Sequence, residues 1–312
     1  MSPDSGQSDQ YRHVPCMLAE TLEILDPKPE DIYGDLTLGL GSHAAAILEN
    51  TTAPALGLDW DEQMLGIAGE RLSRFGERVK LVHSNFTRLP QVLEETGLPS
   101  LDICLLDAGV ARPHLVDPER GMGFAGTTLD LRMDRRLPLT GAEFINEAPE
   151  QQLREALRLT QTPGEARRIV AAIRRRREQC PIASSRELAE LIVDATRSRH
   201  SQSRRQPASA MLALRIHIND ELENLKVGVE AMARALRPGT GRMAVLVYHS
   251  LEFRAVRSVI ERLERGHDVP PWMPEPPDAR PLIRRLVTKP LKPKPDAPDQ
   301  CRSCRLFAAV AV

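Results

Sequence analysis

A glycine-rich stretch between an apolar run and a helical pattern is the first place where ligand chemistry is expected. Gly39 and Gly41 follow the apolar residues 32–38 and precede an alanine-rich segment that begins near His43. Glycines at such a junction let a ligand approach the backbone, and the start of the next helix offers free N–H groups. Asp35 favours a nucleoside joined to an amino acid over a dinucleotide, because a carboxylate holds an ammonium group and repels a pyrophosphate. An ordinary strand-to-helix turn is the alternative.

A second carboxylate, Asp59, ends the next short apolar run, 18 residues beyond Gly41. A carboxylate at this place can accept hydrogen bonds from both ribose hydroxyls, so it indicates an adenosine-type cofactor. The position does not separate NAD from S-adenosylmethionine. The alternative is that Asp59 caps the helix expected at residues 61–75.

A third carboxylate, Asp107, follows four apolar residues and precedes Gly109. The ends of strands in open α/β sheets border the crevice where ligands bind, which favours a functional carboxylate here. His249 follows the apolar run 243–248 and occupies the equivalent place on another strand. A strand-end histidine without a chemical role is an equal alternative for His249.

The cysteines give no sign of a metal or a disulfide framework. Cys301 and Cys304 form a single C-x-x-C pair beside a terminal apolar run, and the sequence has no second pair. A zinc site needs more ligands than this pair supplies, so we expect no metal. The total of five cysteines is odd and scattered, which argues against a disulfide framework.

The elements that must position these residues follow an α/β pattern. Apolar runs alternate with helical spacing between residues 32 and 107, which predicts βαβ units and a parallel sheet. Residues 111–207 lose the strand signal and predict an inserted, mostly helical domain that begins with a Pro- and Gly-rich loop. A long helix at 208–236 and strands at 243–248, 282–287 and 306–312 complete the sheet. The predicted fold is therefore α/β, with one domain at 13–110 and 208–312 and the insertion at 111–207.

Composition limits the class of protein. The 312 residues carry a net charge of -1 and are 41% hydrophobic, as in globular proteins. No apolar run approaches the roughly 18 residues that a membrane span requires. The first ten residues lack the apolar core of a secretory signal and the Arg-rich face of a transit peptide, so we expect a cytoplasmic protein.

The near-neutral total conceals two basic stretches. Residues 154–205 contain 13 Arg and no Lys against six Asp or Glu, and residues 280–294 contain six basic residues and no acid. The first stretch includes the run Arg174, Arg175, Arg176 and Arg177. Basic clusters of this kind are compatible with a polyanionic partner such as nucleic acid. Solvated helix faces are the alternative explanation.

Several stretches resemble the RsmH (MraW) family of bacterial 16S ribosomal RNA methyltransferases. The stretches that carry the resemblance are residues 13–15, 27–29, 35–43, 59–61, 117–121, 129–134, 213–216, 219–222 and 249–252. Residues 117–121 (Asp-Pro-Glu-Arg-Gly) and 129–134 (Leu-Asp-Leu-Arg-Met-Asp) are the most specific of them. The resemblance implies a Rossmann-like class I S-adenosylmethionine methyltransferase sheet with an inserted helical domain for substrate recognition. It implies methylation of N4 of a cytidine in the decoding region of 16S ribosomal RNA.

The resemblance also implies roles for individual residues. Asp107 is the candidate acceptor for the target amine, with His249 beside it. RNA contacts are expected from the basic run and from two of the matching stretches. The implied cofactor contacts are Gly41, Ser42, His43, Asp59, Phe86, Asp107 and His114, to which the glycine loop adds Gly39. The candidate RNA contacts are Arg174 and Arg177 from the basic run and Arg215 and Asn219 from the matching stretches.

The chain departs from the family pattern at several of these places. Ser42 stands where the family has a second glycine, and His114 stands where it has a glutamine. Ala111 and Arg112 replace two serines, and Tyr248 replaces the phenylalanine before His249. The departures describe a divergent member of the family.

Three function classes therefore stay open from the sequence. The first is an S-adenosylmethionine-dependent methyltransferase acting on 16S ribosomal RNA or the small ribosomal subunit, with a homodimer as a candidate assembly and no membrane partner. The second is a catalytically weakened RNA-binding or ribosome-assembly protein, which the lost serines favour. The third, an NAD-dependent enzyme, is disfavoured by the spacing of Asp35 and Gly39.

Overall fold

The computed structural model describes residues 15–196, 205–266 and 280–312, with side chains at all of these except 205 and 206. Residues 13 and 14, with which the first predicted domain begins, lie outside the described residues. The chain forms two compact units. The sheet unit comprises Met1–Gly109 and Leu222–Val312, and the helical unit comprises Val110–Glu221.

The sheet unit contains one seven-stranded sheet in the order β3-β2-β1-β4-β5-β7-β6. Its strands are β1 (Tyr33–Asp35), β2 (Ala55–Asp59), β3 (Val79–His83), β4 (Ile103–Asp107), β5 (Arg242–Val247), β6 (Ile283–Arg285) and β7 (Arg305–Ala311). Strands β1 to β5 pair in parallel, and β7 runs antiparallel to both β5 and β6. This arrangement confirms the predicted class I methyltransferase sheet.

The register of the parallel strands brings three carboxylates to one edge of the sheet. Asp35, the last residue of β1, pairs with Gly57 of β2 and with Leu105 of β4. Asp59 and Asp107 each lie two residues further along their strands, at the same carboxyl-terminal edge. The strand order reverses between β1 and β4, which is where open α/β sheets form their ligand crevice.

Helices cover both faces of the sheet and enclose two hydrophobic clusters. The helices of the sheet unit are α1 (Leu18–Leu25), α2 (Ser42–Leu48), α3 (Glu62–Leu72), α4 (Leu89–Thr96), α11 (Glu221–Ala235, which begins at the division) and α12 (Ser250–Arg265). Strands β2 and β4 are apolar along their length because both faces are covered. Within the described residues, no helix combines the length and the apolar character needed to cross a bilayer.

The described part of the helical unit contains helices and no strand. Its helices are α5 (Arg112–Val116), α6 (Gly141–Glu147), α7 (Glu150–Leu157), α8 (Pro163–Arg177), α9 (Ser185–Thr196) and α10 (Arg205–Asn219). The units divide between Glu221 and Leu222 rather than between residues 207 and 208, because α10 packs against α7 and α9. The single helix expected at 208–236 is two helices, since Asp220 adopts a left-handed conformation with φ 48° that ends α10.

One disulfide joins Cys16 to Cys301, contrary to the expectation drawn from the cysteine count. The two residues are 285 positions apart, and their Cα atoms lie 5.5 Å from each other. Both are buried in the same hydrophobic cluster of the sheet unit. The contact depends on how the segment before α1 meets the segment before β7, which cysteine spacing does not reveal.

Replacing Cys16 with Ser should lower the free energy of unfolding by about 2–4 kcal/mol, because the disulfide restricts the unfolded chain. The melting temperature measured without reductant should fall accordingly. Cys180→Ser, at an exposed free cysteine, is the matched control and should leave it unchanged. Thiol titration of denatured, unreduced protein should find three free thiols, at Cys104, Cys180 and Cys304. Five thiols would contradict the cross-link.

Candidate active site

The loop between β1 and α2 owes its shape to two glycines with positive φ. Gly39 has φ 52° and Gly41 has φ 71°. A residue with a Cβ atom would be strained in either conformation. A Cβ at Gly41 would lie 3.3 Å from the Cβ of Ala68 on α3. The close packing of the start of α2 against α3 therefore also favours glycine at this position. A Cβ at Gly39 would meet only the Thr37 carbonyl oxygen, 3.9 Å away. The space beside Gly39 is therefore open for a ligand.

Asp59 ties this loop to the end of β2. Its Oδ2 accepts a hydrogen bond from the Gly39 N–H at 2.7 Å, and its Oδ1 accepts one from the Asp61 N–H at 2.9 Å. The helix cap that was the alternative role for Asp59 belongs to Asp61, whose Oδ1 accepts from the N–H groups of Gln63 and Met64. A carboxylate oxygen can accept more than one hydrogen bond, so these two backbone donors do not by themselves exclude hydroxyl donors at Asp59.

Asp35 is a buried carboxylate at the end of β1. Its Oδ2 accepts from the Tyr33 hydroxyl at 2.7 Å, and its Oδ1 accepts from the Thr37 N–H at 3.2 Å. Burial raises the pKa of Asp35 to about 6, against the opposing effects of the Tyr33 hydrogen bond and of His43. Through Thr37 the carboxylate holds the start of the glycine loop, and when ionised it favours a positive charge nearby.

Asp107 lies at the centre of a polar cluster at the end of β4. Its N–H donates to Thr37 Oγ1 at 2.6 Å, and its Oδ1 accepts from the Tyr248 hydroxyl at 2.7 Å. Its Oδ2 lies 3.6 Å from His43 Nδ1. Burial raises the pKa of Asp107 to about 7, Tyr248 opposes that rise and Glu252 adds to it. The side chain therefore changes charge near neutral pH.

His43 faces Asp107 from the first turn of α2. Its Nε2 lies 3.1 Å from the Cys16 carbonyl oxygen, which can only accept, so Nε2 carries a proton. The other nitrogen, Nδ1, then presents a lone pair to Asp107 when the ring is neutral. Burial lowers the pKa of His43, with Asp35 opposing. A proton on either Asp107 or Nδ1 relieves the repulsion between the two groups.

The hydroxyl that reaches Asp107 belongs to Tyr248, which is not among the site residues predicted from the sequence. Tyr248 follows the last residue of β5 and looks like the end of an apolar run. Burial raises the pKa of its phenol well above the usual value, so the hydroxyl stays a donor. The available signal was the departure from the family pattern, in which phenylalanine stands at this place.

His249, the second candidate catalytic residue, caps the N-terminus of α12. Its Nδ1 accepts from the Glu252 N–H at 3.2 Å, and Glu252 Oε2 accepts from the His249 N–H at 3.1 Å. Glu252 also accepts from the Tyr248 N–H at 2.7 Å. His249 therefore helps to hold Glu252, which in turn accepts a hydrogen bond from the backbone of Tyr248.

The remaining cofactor candidates of the sheet unit lie around this edge. Ser42 begins α2, and its hydroxyl accepts a hydrogen bond from Arg71 of α3. Phe86 follows β3, is buried, and lies with its ring 5.9 Å from that of Trp60, the residue after Asp59. Phe86 packs in the hydrophobic cluster that also contains Leu58 of β2, and Trp60, which directly follows Asp59, is the less buried of the two rings.

Three predicted residues belong to the helical unit and have partners inside it. His114 is buried in α5, where its Nδ1 accepts from the Ala111 N–H at 3.1 Å. Arg215 forms a bidentate ion pair with Glu221 at 2.7 and 2.9 Å. Asn219 is also buried, and its side chain bonds the backbone of Leu131, Met133 and Arg215.

The two predicted RNA contacts in the arginine run differ in their surroundings. Arg177 donates to the carbonyl oxygens of Ile145 and Ala148 at 3.0 and 2.9 Å, which fixes it to the end of α6. Arg174 is half exposed and lies 3.5 Å from Glu150. Arg174 also lies 3.9 Å from Glu178, but it is the more exposed of the two arginines.

Comparison with known proteins gives this arrangement a family. A 1.95 Å structure of an rRNA methylase from Streptococcus thermophilus aligns with 95% of this chain and 93% of its own, at 11% identity and a TM-score of 0.44, which is too loose to support an inference. Sequence relatives are much closer. The ribosomal RNA small subunit methyltransferase H of Symbiobacterium thermophilum is 38% identical over 89% of this chain and 90% of its own length. That of Carboxydothermus hydrogenoformans is 36% identical over 96% and 98%. A model of the MraW methylase family matches residues 10–310, and the chain belongs to that family.

Proposed function

We propose that this protein uses S-adenosylmethionine to methylate N4 of a cytidine in the decoding region of 16S ribosomal RNA. The observation that carries the proposal is the Asp107 carboxylate at the ligand-binding edge of a class I methyltransferase sheet, held by Tyr248 and faced by His43. The family of the chain and the names of its relatives supply the substrate class. The target atom and its place in the RNA follow from the family pattern.

The residues around the glycine loop fit S-adenosylmethionine. The open space beside Gly39 gives a ligand access to the backbone, and the Asp59 carboxylate at the end of β2 suits the two ribose hydroxyls. The rings of Phe86 and Trp60 suit the adenine, and Asp35 favours the positively charged amino-acid part. When bound, S-adenosylmethionine supplies a methyl group on a positively charged sulfur.

Asp107 answers the chemical difficulty of the substrate. The exocyclic amine of cytosine is a weak nucleophile, because its lone pair is delocalised into the ring. An ionised carboxylate that accepts a hydrogen bond from this amine orients it and offsets the positive charge that develops on nitrogen. Tyr248 holds the carboxylate in place through its hydroxyl. The target base must leave its stack to reach this edge, which suits a single-stranded loop of RNA.

Tyr248→Phe should move the pH dependence of methyl transfer. The Tyr248 hydroxyl lowers the pKa of Asp107, so its removal raises that pKa above the present value of about 7. Because the ionised form is the working form, the rate of the wild type should rise as the pH passes about 7, and the variant should need a higher pH. A profile of kcat against pH at saturating substrates measures the shift. A lower kcat with an unmoved midpoint would assign Tyr248 to packing alone.

RNA contacts in the helical unit are proposed for the exposed part of α8. Arg174 and its exposed neighbour Arg175 are the guanidinium groups that we propose face phosphate. Arg177, Arg215 and Asn219 are less exposed than Arg174 and have intramolecular partners, and we propose that they hold the helices and the segment at 131–133 in shape. His114 stays a proposed cofactor contact on the strength of the family pattern.

The reaction is proposed to take place in the cytoplasm, where the small ribosomal subunit is assembled. The homodimer stays a prediction, which sedimentation of the purified protein at several concentrations tests.

Cofactor titration separates the three function classes. Isothermal titration should show binding of S-adenosylmethionine and no binding of NAD. A weakened RNA-binding protein would bind neither compound but would still bind a 16S ribosomal RNA fragment. Binding of NAD in preference to S-adenosylmethionine would overturn the proposal.

A further inference from the structure

A concave site lies between α12 and the strands β6 and β7 of the sheet unit. It is a cavity of about 400 Å³, lined by one face of α12, by residues 285–292 and by the first half of β7. None of its lining residues belongs to the carboxylate cluster around Asp107. The methyl-transfer chemistry therefore leaves this cavity without a role.

The charge of the cavity lining is strongly one-sided. Its charged residues are Arg257, Arg285, Lys289, Lys292, Arg305 and a single carboxylate, Glu261. The whole chain carries a net charge of only -1, and residues 280–294 contain no acid at all. A concave surface with this excess of cations concentrates a polyanion.

Two of the five cations are neutralised by acids. Arg257 pairs with Glu261 at 2.6 Å, and Arg285 pairs with Glu264 at 2.6 Å. For the other three, Lys289, Lys292 and Arg305, the described residues place no carboxylate within ion-pair distance. Both lysines are exposed, and Arg305 donates to the carbonyl oxygen of Cys304 at 2.6 Å. Uncompensated cations around one cavity indicate an anionic ligand more strongly than cations scattered over a surface do.

The floor of the cavity is apolar and aromatic. Phe253 and Phe307 lie with their ring centroids 5.2 Å apart, and Ile260 and Ala308 lie beside them. Phe253 is only partly buried and can receive a flat group on its exposed side. A cationic rim over an aromatic floor is the combination that binds single-stranded nucleic acid, in which phosphates contact the rim and a base stacks on the ring.

Protection of the sheet edge explains part of this charge but not all of it. Arg285 belongs to β6, which is an edge strand, and charged residues on edge strands discourage pairing with other chains. Lys289 and Lys292 flank Leu291, which bridges Leu306 of β7 at the same edge, whereas Arg305 belongs to β7, which is paired on both sides. Edge protection therefore does not account for Arg305, nor for the position of all three uncompensated cations around one cavity with an aromatic lining.

We propose that this cavity, the basic cleft, binds a phosphodiester segment of the RNA substrate away from the nucleotide that is methylated. The proposal rests on the proposed function, since it makes the cleft a second anchor for the same RNA. It assigns a ligand to the basic stretch at 280–294, which the reaction at Asp107 does not use. The anchor raises the affinity for RNA and leaves the chemical step unchanged.

Salt dependence of RNA binding tests the proposal. The probe is a labelled single-stranded RNA with the sequence of the 16S decoding region, and the variant is Lys289→Gln with Lys292→Gln. Each phosphate contact that is lost reduces the slope of log affinity against log salt by roughly 0.7, so the double variant should reduce it by roughly 1.4. In methyl transfer, KM for RNA should rise while kcat and the affinity for S-adenosylmethionine stay unchanged.

The matched control is Lys28→Gln with Lys226→Gln. It removes the same charge from two lysines that have carboxylate partners, Asp26 and Glu223, and it should leave the slope unchanged. An unaltered slope in the cleft variant would overturn the proposal. So would a loss of affinity for small ribosomal subunits but not for the RNA alone, which would indicate a ribosomal protein. Cytidine monophosphate that binds the wild-type cleft as tightly as the RNA does would indicate a mononucleotide site instead.

These outcomes are distinct from a failure of the proposed function. If the wild type transfers no methyl group to ribosomal RNA, the proposed function fails whatever the salt slopes are. If the wild type is active and the cleft variant matches it in KM and slope, only the cleft proposal fails.

Discussion

Asp107→Asn should lower kcat for methyl transfer by about 100- to 1,000-fold, the loss typical of removing one preorganised electrostatic group from an active site. Asparagine has nearly the same shape, and its carbonyl oxygen still accepts the hydrogen bond from Tyr248. The fold and the polar cluster should therefore persist. The variant loses the negative charge that offsets the positive charge developing on the amine. The rate of methyl transfer should therefore fall.

The control for this variant is Asp102, a carboxylate at the opposite end of β4 from Asp107. Asp102 lies just before β4, accepts from the Ile32 N–H at 2.9 Å and pairs with Arg237. Asp102→Asn should reduce stability and leave kcat near the wild-type value. Rates are measured with saturating cofactor and RNA on protein whose melting temperature has been checked. Wild-type turnover by a folded Asp107→Asn protein that binds cofactor would make Asp107 a structural residue.

Asp59→Ala should weaken the binding of S-adenosylmethionine by about 1–3 kcal/mol, which is about 5- to 150-fold in Kd. The variant loses an ionised acceptor for the ribose hydroxyls, and it also releases the Gly39 N–H that Asp59 holds at 2.7 Å. Isothermal titration measures the change. The matched control is Asp61→Asn, because asparagine caps a helix about as well as aspartate and the residue is next to the site.

A second comparison separates contact with the ribose from ordering of the loop. The wild type should bind S-adenosylhomocysteine more tightly than its 2′-deoxy analogue, and Asp59→Ala should bind the two equally. If the variant keeps the wild-type preference, Asp59 acts only through the loop. If its affinity for both compounds is unchanged, Asp59 is not part of the site.

The sequence revealed the sheet and its ligand edge because both depend on local patterns. Apolar runs such as those of β4 and β5 are long enough to identify a strand, and the glycine loop after β1 marks a ligand crevice. The sequence predicts Asp59 and Asp107 at strand ends, and the ends of parallel strands share one edge of the sheet. The register of β1 with β2 and β4 confirms this arrangement.

What the sequence concealed depends on contacts between distant segments or on single backbone angles. Tyr248 looked like the end of an apolar run, and only the fold shows its hydroxyl on Asp107, 141 residues away in the chain. The Cys16–Cys301 disulfide has the same origin. The break at Asp220 was hidden because apolar helical spacing continues across it, while one residue with positive φ ends the helix.

Mapping of N4-methylated cytidines in 16S ribosomal RNA tests the central claim most directly. RNA from cells that lack this protein is compared with RNA from the same cells supplied with the wild type or with Asp107→Asn. We predict that one cytidine in the decoding region carries the N4 methyl group only when the wild type is present. Full methylation of that cytidine without the protein, or with Asp107→Asn at the wild-type level and rate, would contradict the account.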